Sequence, residues 1–366
     1  MTNTFKLFAL GSNGSGQLGT GHENDTAIPE KCEINEEDLA NIRTDDKIAR
    51  IVAGGNHTLV LFESGIVFAA GSNEHGQCGL PSRIVQTNIF RRVVVHDDTH
   101  EKLLEFIDVS ATWEASFLLG RDGCVYVFGS GEKGELGLGQ AVTVTGDLSR
   151  SRLAVVGGND SKVKKLYSGM RHTIAVGDGG KLYGWGSCRK GELGPDLEHL
   201  KVVWTPERLN VPFGCQRAVL GRNFTILFGT HECKFLGQER TLLQVAENSY
   251  LALKGDVEAA WSVVYSLVDG RVQAVGRNDR GQWPSDDLPD LSKLAAGSEH
   301  CLGLTADSRV VAWGWGEHGN CGEPTDSRGN VAGRWNVLPV SLKDDEEVVN
   351  IGAGCATSFI VVGRKP

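Results

Sequence analysis

The chain lacks most of the signatures that announce a chemistry. Its nine cysteines include no CxxC pair and no zinc-spaced Cys/His set. An odd number of cysteines without pairing spacing points to free thiols in a reducing compartment. There is no GxSxG elbow, no HExxH and no glycine loop ending in GK[ST], so acyl-transfer, zinc-hydrolase and P-loop chemistry have no support. Carboxylates are plentiful but hold no catalytic spacing. The expectation is a non-enzyme with no cofactor and no metal.

Basic runs are absent too. None is longer than Arg91–Arg92 or Lys164–Lys165, and the net charge is −9. That excludes a clustered basic segment for phosphate backbones, so no direct nucleic-acid partner is expected. Acidic clusters occur at Glu36–Asp38 and Asp344–Glu347; they read as solubility, with docking of a basic partner as the sharper alternative. No apolar run is long enough to span a membrane. The opening MTNTFKLFALGSNG has neither the basic region nor the cleavage site of a signal peptide. The expected location is the cytoplasm, with the nucleus as a second site and no membrane partner.

What is abundant is glycine, 48 residues of it, in a repeated frame. Gly11–Gly19 reads GSNGSGQLG, Gly71–Gly79 GSNEHGQCG, Gly129–Gly137 GSGEKGELG, Gly186–Gly194 GSCRKGELG and Gly314–Gly322 GWGEHGNCG. Gly276–Pro284, GRNDRGQWP, is a frayed copy, and a seventh unit keeps only its first glycine, Gly237. An apolar, β-branched hairpin precedes each of these glycines from Gly71 on, as in TLVLFESGIVFAAG (Thr58–Gly71) and CLGLTADSRVVAWG (Cys301–Gly314). A further short strand lies upstream of the hairpin. The glycines at 11, 71, 129, 186, 237, 276 and 314 are spaced 60 to 38 residues apart, the size of a three- or four-stranded propeller blade.

The ends complement each other. Phe5–Gly11 is a lone last strand, and Asn350–Gly363 supplies the strands that should precede it. Pairing them closes a ring and removes an open sheet edge. The reading is an all-β, seven-bladed β-propeller, one domain over residues 1–366, closed by its N- and C-terminal strands. The long polar stretches after each loop are expected as loops or outer strands. Whether the short sixth and seventh units hold a fourth strand stays open.

Candidate residues follow from position in the repeat. His57, His172 and His300 lie fourteen residues before Gly71, Gly186 and Gly314; the same offset falls on Ser262, and Phe224 takes the place in the decayed unit. A residue recurring blade by blade is structural, so each imidazole is expected to bond backbone. The same holds for Gly11, Gly71, Gly129, Gly186, Gly276 and Gly314, which supply positive φ at chain reversals. Trp185 and Trp313 should pack between blades. Trp315, Glu317, His318, Trp283, Arg334 and Trp335 depart from the repeat, and Trp and Arg favour binding hot spots. They are the partner-binding candidates. His75 shares the loop position of His318.

The motifs GSNGSGQLG (Gly11–Gly19), AGGNHTLVL (Ala53–Leu61) and SGMRHTIAV (Ser168–Val176) resemble the regulator of chromosome condensation family of seven-bladed propellers. The likeness covers essentially the whole chain. Its founding member exchanges nucleotide on the small GTPase Ran and binds chromatin; this chain lacks the basic tail for chromatin, and its fifth and sixth units are degenerate. Within the family, FALGSNGSGQLGTGHEND and AAGSEHCLGLTADSRVVAWGWGEHGNCG look like the fungal killer-toxin-insensitivity group. That likeness implies a non-catalytic scaffold or regulator forming a heterodimer with a small CSL-type zinc-binding protein. It also implies service to Elongator-dependent tRNA wobble-uridine modification and to diphthamide synthesis, with Elongator contacted indirectly. Two alternatives stand beside it. One is a guanine-nucleotide exchange factor for a small GTPase, although no strand-paired insertion is visible. The other is an enzyme with its site at the channel mouth.

Overall fold

The structure is a computed structural model that describes residues 5–40, 42–96, 102–146, 152–153, 162–238 and 255–365. Seven antiparallel sheets succeed one another along the chain, each running from an inner to an outer strand: a seven-bladed β-propeller. Blade 1 contains both ends. Its strands, from the inside, are Glu346–Ala353, Thr357–Arg364, Lys6–Gly11 and Thr26–Lys31. Lys6 stands opposite Val362 and Gly11 opposite Thr357, so the termini zip together as the sequence suggests.

Blade 2 comprises Ile48–Ala53, His57–Phe62, Val67–Ser72 and Gln86–Arg92. Blade 3 comprises Phe106–Ala111, Ala115–Gly120 and Val125–Ser130, with Val144–Thr145 and Arg152–Leu153 as a divided outer strand. Blade 4 comprises Val163–Ser168, His172–Gly177, Leu182–Ser187 and Val202–Leu209. Blade 7 comprises Leu291–Ala296, His300–Thr305, Val310–Trp315 and Asn330–Leu338. Blades 5 and 6 have three strands among the described residues: Arg217–Leu220, Phe224–Phe228 and Cys233–Gly237, then Asp256–Ala259, Val263–Val268 and Arg271–Gly276. The seventh unit therefore has its fourth strand and the sixth does not.

Burial explains the composition of each strand. Second strands such as HTLVLF lie between two neighbouring blades and are buried along their whole length. A strand covered on both faces has no solvent side, so the run is continuously apolar rather than alternating. Trp185 and Trp313 are fully buried. Each indole Nε1 donates to a loop carbonyl of the preceding blade, at Glu135 (2.8 Å) and Gln282 (2.9 Å).

The recurring histidines join blades through a hydroxyl of the next blade, beside the backbone expected of them, which reaches His172 at Phe224 and His300 at Thr357. His57 Nε2 meets Ser116 Oγ at 2.8 Å, His172 Nε2 meets Thr225 Oγ1 at 2.9 Å, and His300 Nε2 meets Ser358 Oγ at 3.0 Å. Each hydroxyl belongs to the second strand of the next blade. Ser116 and Ser358 also donate to loop carbonyls, at Gln77 and Asn320, so the hydroxyl is an acceptor for the imidazole N–H. The equivalent position in blade 6 is Val263, not Ser262: Val263 pairs with Gly276 as His300 pairs with Gly314. A two-residue turn between Val268 and Arg271 shortens that hairpin and shifts the offset by one.

Glycine is required at the repeated position for two reasons. Gly71 has φ +112°, and a Cβ there would lie 2.3 Å from Asn56 O. The sixth glycine of a loop instead meets the next blade: a Cβ on Gly16, Gly76, Gly281 or Gly319 would strike the outer strand at Asn88, Thr145, Ala332 or Thr26. The loop of one blade is thus seated on the outer strand of the next.

Candidate protein-binding face

Each second strand begins opposite the glycine that ends the third strand, as His57 does opposite Gly71. The loops joining inner to second strands therefore share one face with the glycine loops. The hairpin turns lie on the opposite face.

At the centre of the loop face the inner loops are stitched by backbone bonds. Gly55 N donates to Trp113 O at 2.8 Å, and Trp113 N to Met170 O at 3.0 Å. Arg222 N donates to Trp261 O at 2.9 Å, Trp261 N to Ser298 O at 2.8 Å, and Ser298 N to Gly354 O at 3.0 Å. Trp113 of blade 3 and Trp261 of blade 6 meet across the axis, ring centroids 5.6 Å apart and planes tilted by 46°. Together with Met170 and Cys355 they line the end of a central bore of about 500 Å³.

Arg50, Arg217, Asp256, Glu258 and Tyr167 line the bore below that cap. Arg50 Nη1 bonds the carboxylate of Asp108, which also accepts from Leu166 N at 2.9 Å. The bore admits water to Glu258, yet protein surrounds it on every side. That burial pushes its carboxyl up to about 7, while Arg50 and Arg217 pull the other way. Among the described residues no three His, Cys, Asp or Glu side chains gather into a metal-sized site.

The glycine loops satisfy their own amides. Asn13 Oδ1 accepts from Leu18 N and Asn73 Oδ1 from Cys78 N. The seventh loop residue accepts from the fifth: Gln17 from Ser15 N at 2.9 Å, Gln77 from His75 N at 2.9 Å, Glu135 from Lys133 N at 2.6 Å and Glu192 from Lys190 N at 2.7 Å. These are N–H groups a phosphate cradle would need. Burial raises both glutamates above the usual carboxylate range, against these bonds.

Of the predicted partner-binding residues, the structure gathers Trp315, Glu317 and His318 where blades 6, 7 and 1 meet. Trp315 is half-buried. Its Nε1 donates to Glu317 Oε2 at 3.0 Å, its ring meets the His318 imidazole edge to face at 5.4 Å, and the Arg280 guanidinium lies over it at 5.1 Å. His318 Nδ1 is 2.9 Å from Asp25 Oδ2 of blade 1. Trp283 is 45 % exposed and follows Arg280 in the blade 6 loop. Arg334 and Trp335 sit apart from this group on the outer strand of blade 7. Arg334 folds back onto the carbonyl of Pro324, and Trp335 packs half-buried against the core. His75 stands on blade 2, with blade 1 between it and His318.

A family model described as the RCC1-like domain matches residues 6–360. The chain belongs to the RCC1-like family. An RCC1 repeat-containing protein of Schizosaccharomyces pombe is 32 % identical over 374 residues, 97 % of this chain and 98 % of that protein. The mouse secretion-regulating guanine nucleotide exchange factor is 25 % identical, across 97 % of this chain and 83 % of its own length. Among solved structures, Prp20p of Saccharomyces cerevisiae, described with its binding to Gsp1p and histones, superposes with a TM-score of 0.81. It covers all of this chain at 16 % identity and so bears on the fold alone. An RCC1-like propeller of this kind is a protein-interaction or exchange-type regulator.

Sequence reasoning passed over Trp113, Trp261, Met170 and Arg222. A signal was available: they occupy the slot that is Gly55 in GGNH and Ser298 in GSEH, and so depart from the repeat as Trp315 does.

Proposed function

We propose that this chain is a non-catalytic platform whose loop face holds a protein partner, and that the partner is a small CSL-type zinc-binding protein. In this reading the heterodimer serves Elongator-dependent wobble-uridine modification and diphthamide synthesis, in the cytoplasm and secondarily in the nucleus. The metal and electron chemistry belong to the partner. The reading is supported by the likeness of the first and last repeats to the killer-toxin-insensitivity group. The observation that carries it is Trp315, half-exposed beneath Arg280 and flanked by Glu317 and His318 on the loop face. A large aromatic held by polar neighbours and left partly open is hot-spot chemistry.

Calorimetry of the purified chain with the purified zinc protein is the test, repeated with Trp315→Ala and Trp335→Ala. Binding that weakens in the folded Trp315→Ala variant supports the reading. No binding of the zinc protein, or unchanged wobble uridines and diphthamide in a deletion strain, removes it. Guanine-nucleotide exchange on a small GTPase is the alternative, motivated by the mouse relative's description. A nucleotide-release assay across small GTPases separates the two.

A further inference from the structure

The chain is acidic as a whole, with a net charge of −9, yet its loop face is divided. At the loop tips of blades 4, 5 and 6 stand Arg171, Arg189, Lys190, Arg222 and Arg280, all exposed. Blades 7, 1, 2 and 3 present Glu299, Glu317, Asp25, Glu74, Glu114 and Glu132 on the same face, with Lys133 beside the last. Backbone bonds fix the loops that carry Arg171 and Arg222. Ser187 N donates to Arg171 O at 2.8 Å, and Arg222 N to Trp261 O at 2.9 Å.

Among the described residues Arg171, Arg189, Lys190 and Arg222 make no close ion pair; Arg171 and Lys190 act only at longer range, on the buried Glu135 and Glu192. Asp196 and Glu198 follow the blade 4 loop, and three other acids in or beside the sector are engaged. Glu135 and Glu192 are buried under their loops, accepting backbone N–H groups. Asp279 makes a two-point pair with Arg277, at 3.0 and 2.7 Å. Apolar surface adjoins the cations at Met170, Trp261 and Trp113, all half-buried at the axis.

We infer that this sector is a docking site for a short acidic segment of a partner protein, anchored by one apolar side chain on the Trp113–Trp261 pair. The inference rests on the reading above that the loop face holds a protein, and adds the chemistry of that protein. Charge complementarity selects the occupant: four exposed cations without a close ion pair among the described residues, on an arc of adjoining blades, attract a few carboxylates. A nucleic-acid strand is disfavoured, because an extended polyanion leaving the arc would run over Glu299, Glu114 and Glu132. A second copy of this chain could offer its acidic half to the arc, but the axial apolar pair would then face an identical pair without a complementary anchor.

A labelled peptide of Glu and Asp residues around a single Leu is the probe, followed by fluorescence anisotropy on the full chain. Saturable binding that weakens with salt and falls about tenfold or more in Arg171→Glu/Arg222→Glu is expected. Lys190→Glu should give a smaller loss, and Lys343→Glu on the opposite face none. The sites are exposed, and a thermal melt checks that each variant folds. Three results overturn the inference: no saturable binding, equal binding by the charge-reversed variants, or stronger binding of oligouridylate than of the peptide. Self-association in sedimentation that excludes the peptide overturns it as well. Absence of zinc-protein binding defeats the earlier reading and leaves the peptide result standing.

Discussion

Blades 2, 4 and 7 join their successors through an imidazole and a hydroxyl; blades 5 and 6 join theirs through apolar side chains. His57, His172 and His300 face Ser116, Thr225 and Ser358. At the same positions Phe224 of blade 5 shares a core cluster with Val264 of blade 6, and Val263 shares one with Cys301 of blade 7. The two members of each junction agree in polarity. A buried neutral imidazole needs a partner for its N–H, and a buried hydroxyl opposite phenylalanine would lack one. The degenerate blades have therefore not lost the joint. They have replaced one complementary pair by another.

The largest effect should come from the element common to regular and degenerate blades, the glycine closing each third strand. Gly71→Ala combines φ +112° with a Cβ 2.3 Å from a backbone carbonyl, so a loss of about 4 kcal/mol or more, or failure to fold, is expected. Gly14→Ala, in open space within the first loop, should leave the melting temperature nearly unchanged. Equal melting of the two would break the account of the repeat.

Acid should attack the polar junctions and spare the apolar ones. Burial lowers His57, His172 and His300 from 6.5 to about 4. Unfolded imidazoles bind protons between those values and folded ones do not. Their contribution is thus complete above pH 6.5 and is lost as pH falls through the folded value, by on the order of 3 kcal/mol per ring at pH 4. Urea midpoints measured across this window should fall with pH. The slope should be shallower for His172→Phe paired with Thr225→Val.

Exchanging junction types sharpens the comparison further. Phe224→His alone places an imidazole against Val264 and should cost about 2 kcal/mol; adding Val264→Ser should recover part of it. Additive costs in that cycle would mean the two sites do not sense each other. Trp315→Ala should have the smallest effect on stability, within about 1 kcal/mol, because its ring is half-exposed and held by surface groups. Its consequence should appear in partner binding.

Much of the fold was legible because its constraints are local and recur. A glycine held at positive φ and a β-branched hairpin must reappear in every blade, and the half-blades at the two ends could pair only with each other. Counting back from Gly276 lands on Ser262 because counting residues cannot see a hairpin shortened by one. The histidine partner was missed for a related reason: Ser116 lies 59 positions from His57, and its hydroxyl is significant only once two blades face each other. Trp315, Glu317 and His318 were found together because they share one loop. Arg334 and Trp335 were grouped with them by sequence proximity, which a strand leading away from the loop dissolves.

The amino-acid sequence alone settled the number of blades, the closure and the place of each loop, since these follow from short-range backbone geometry repeated along the chain. It marked Trp113, Trp261 and Arg222 as departures from one repeat slot, but did not show that they gather at one place. Arg171, the Arg189–Lys190 pair and Arg222 are separated along the chain, and Trp113 is 148 residues from Trp261 by numbering. Charge and contact at a surface depend on distance through space, and only the closed ring brings these residues to one face.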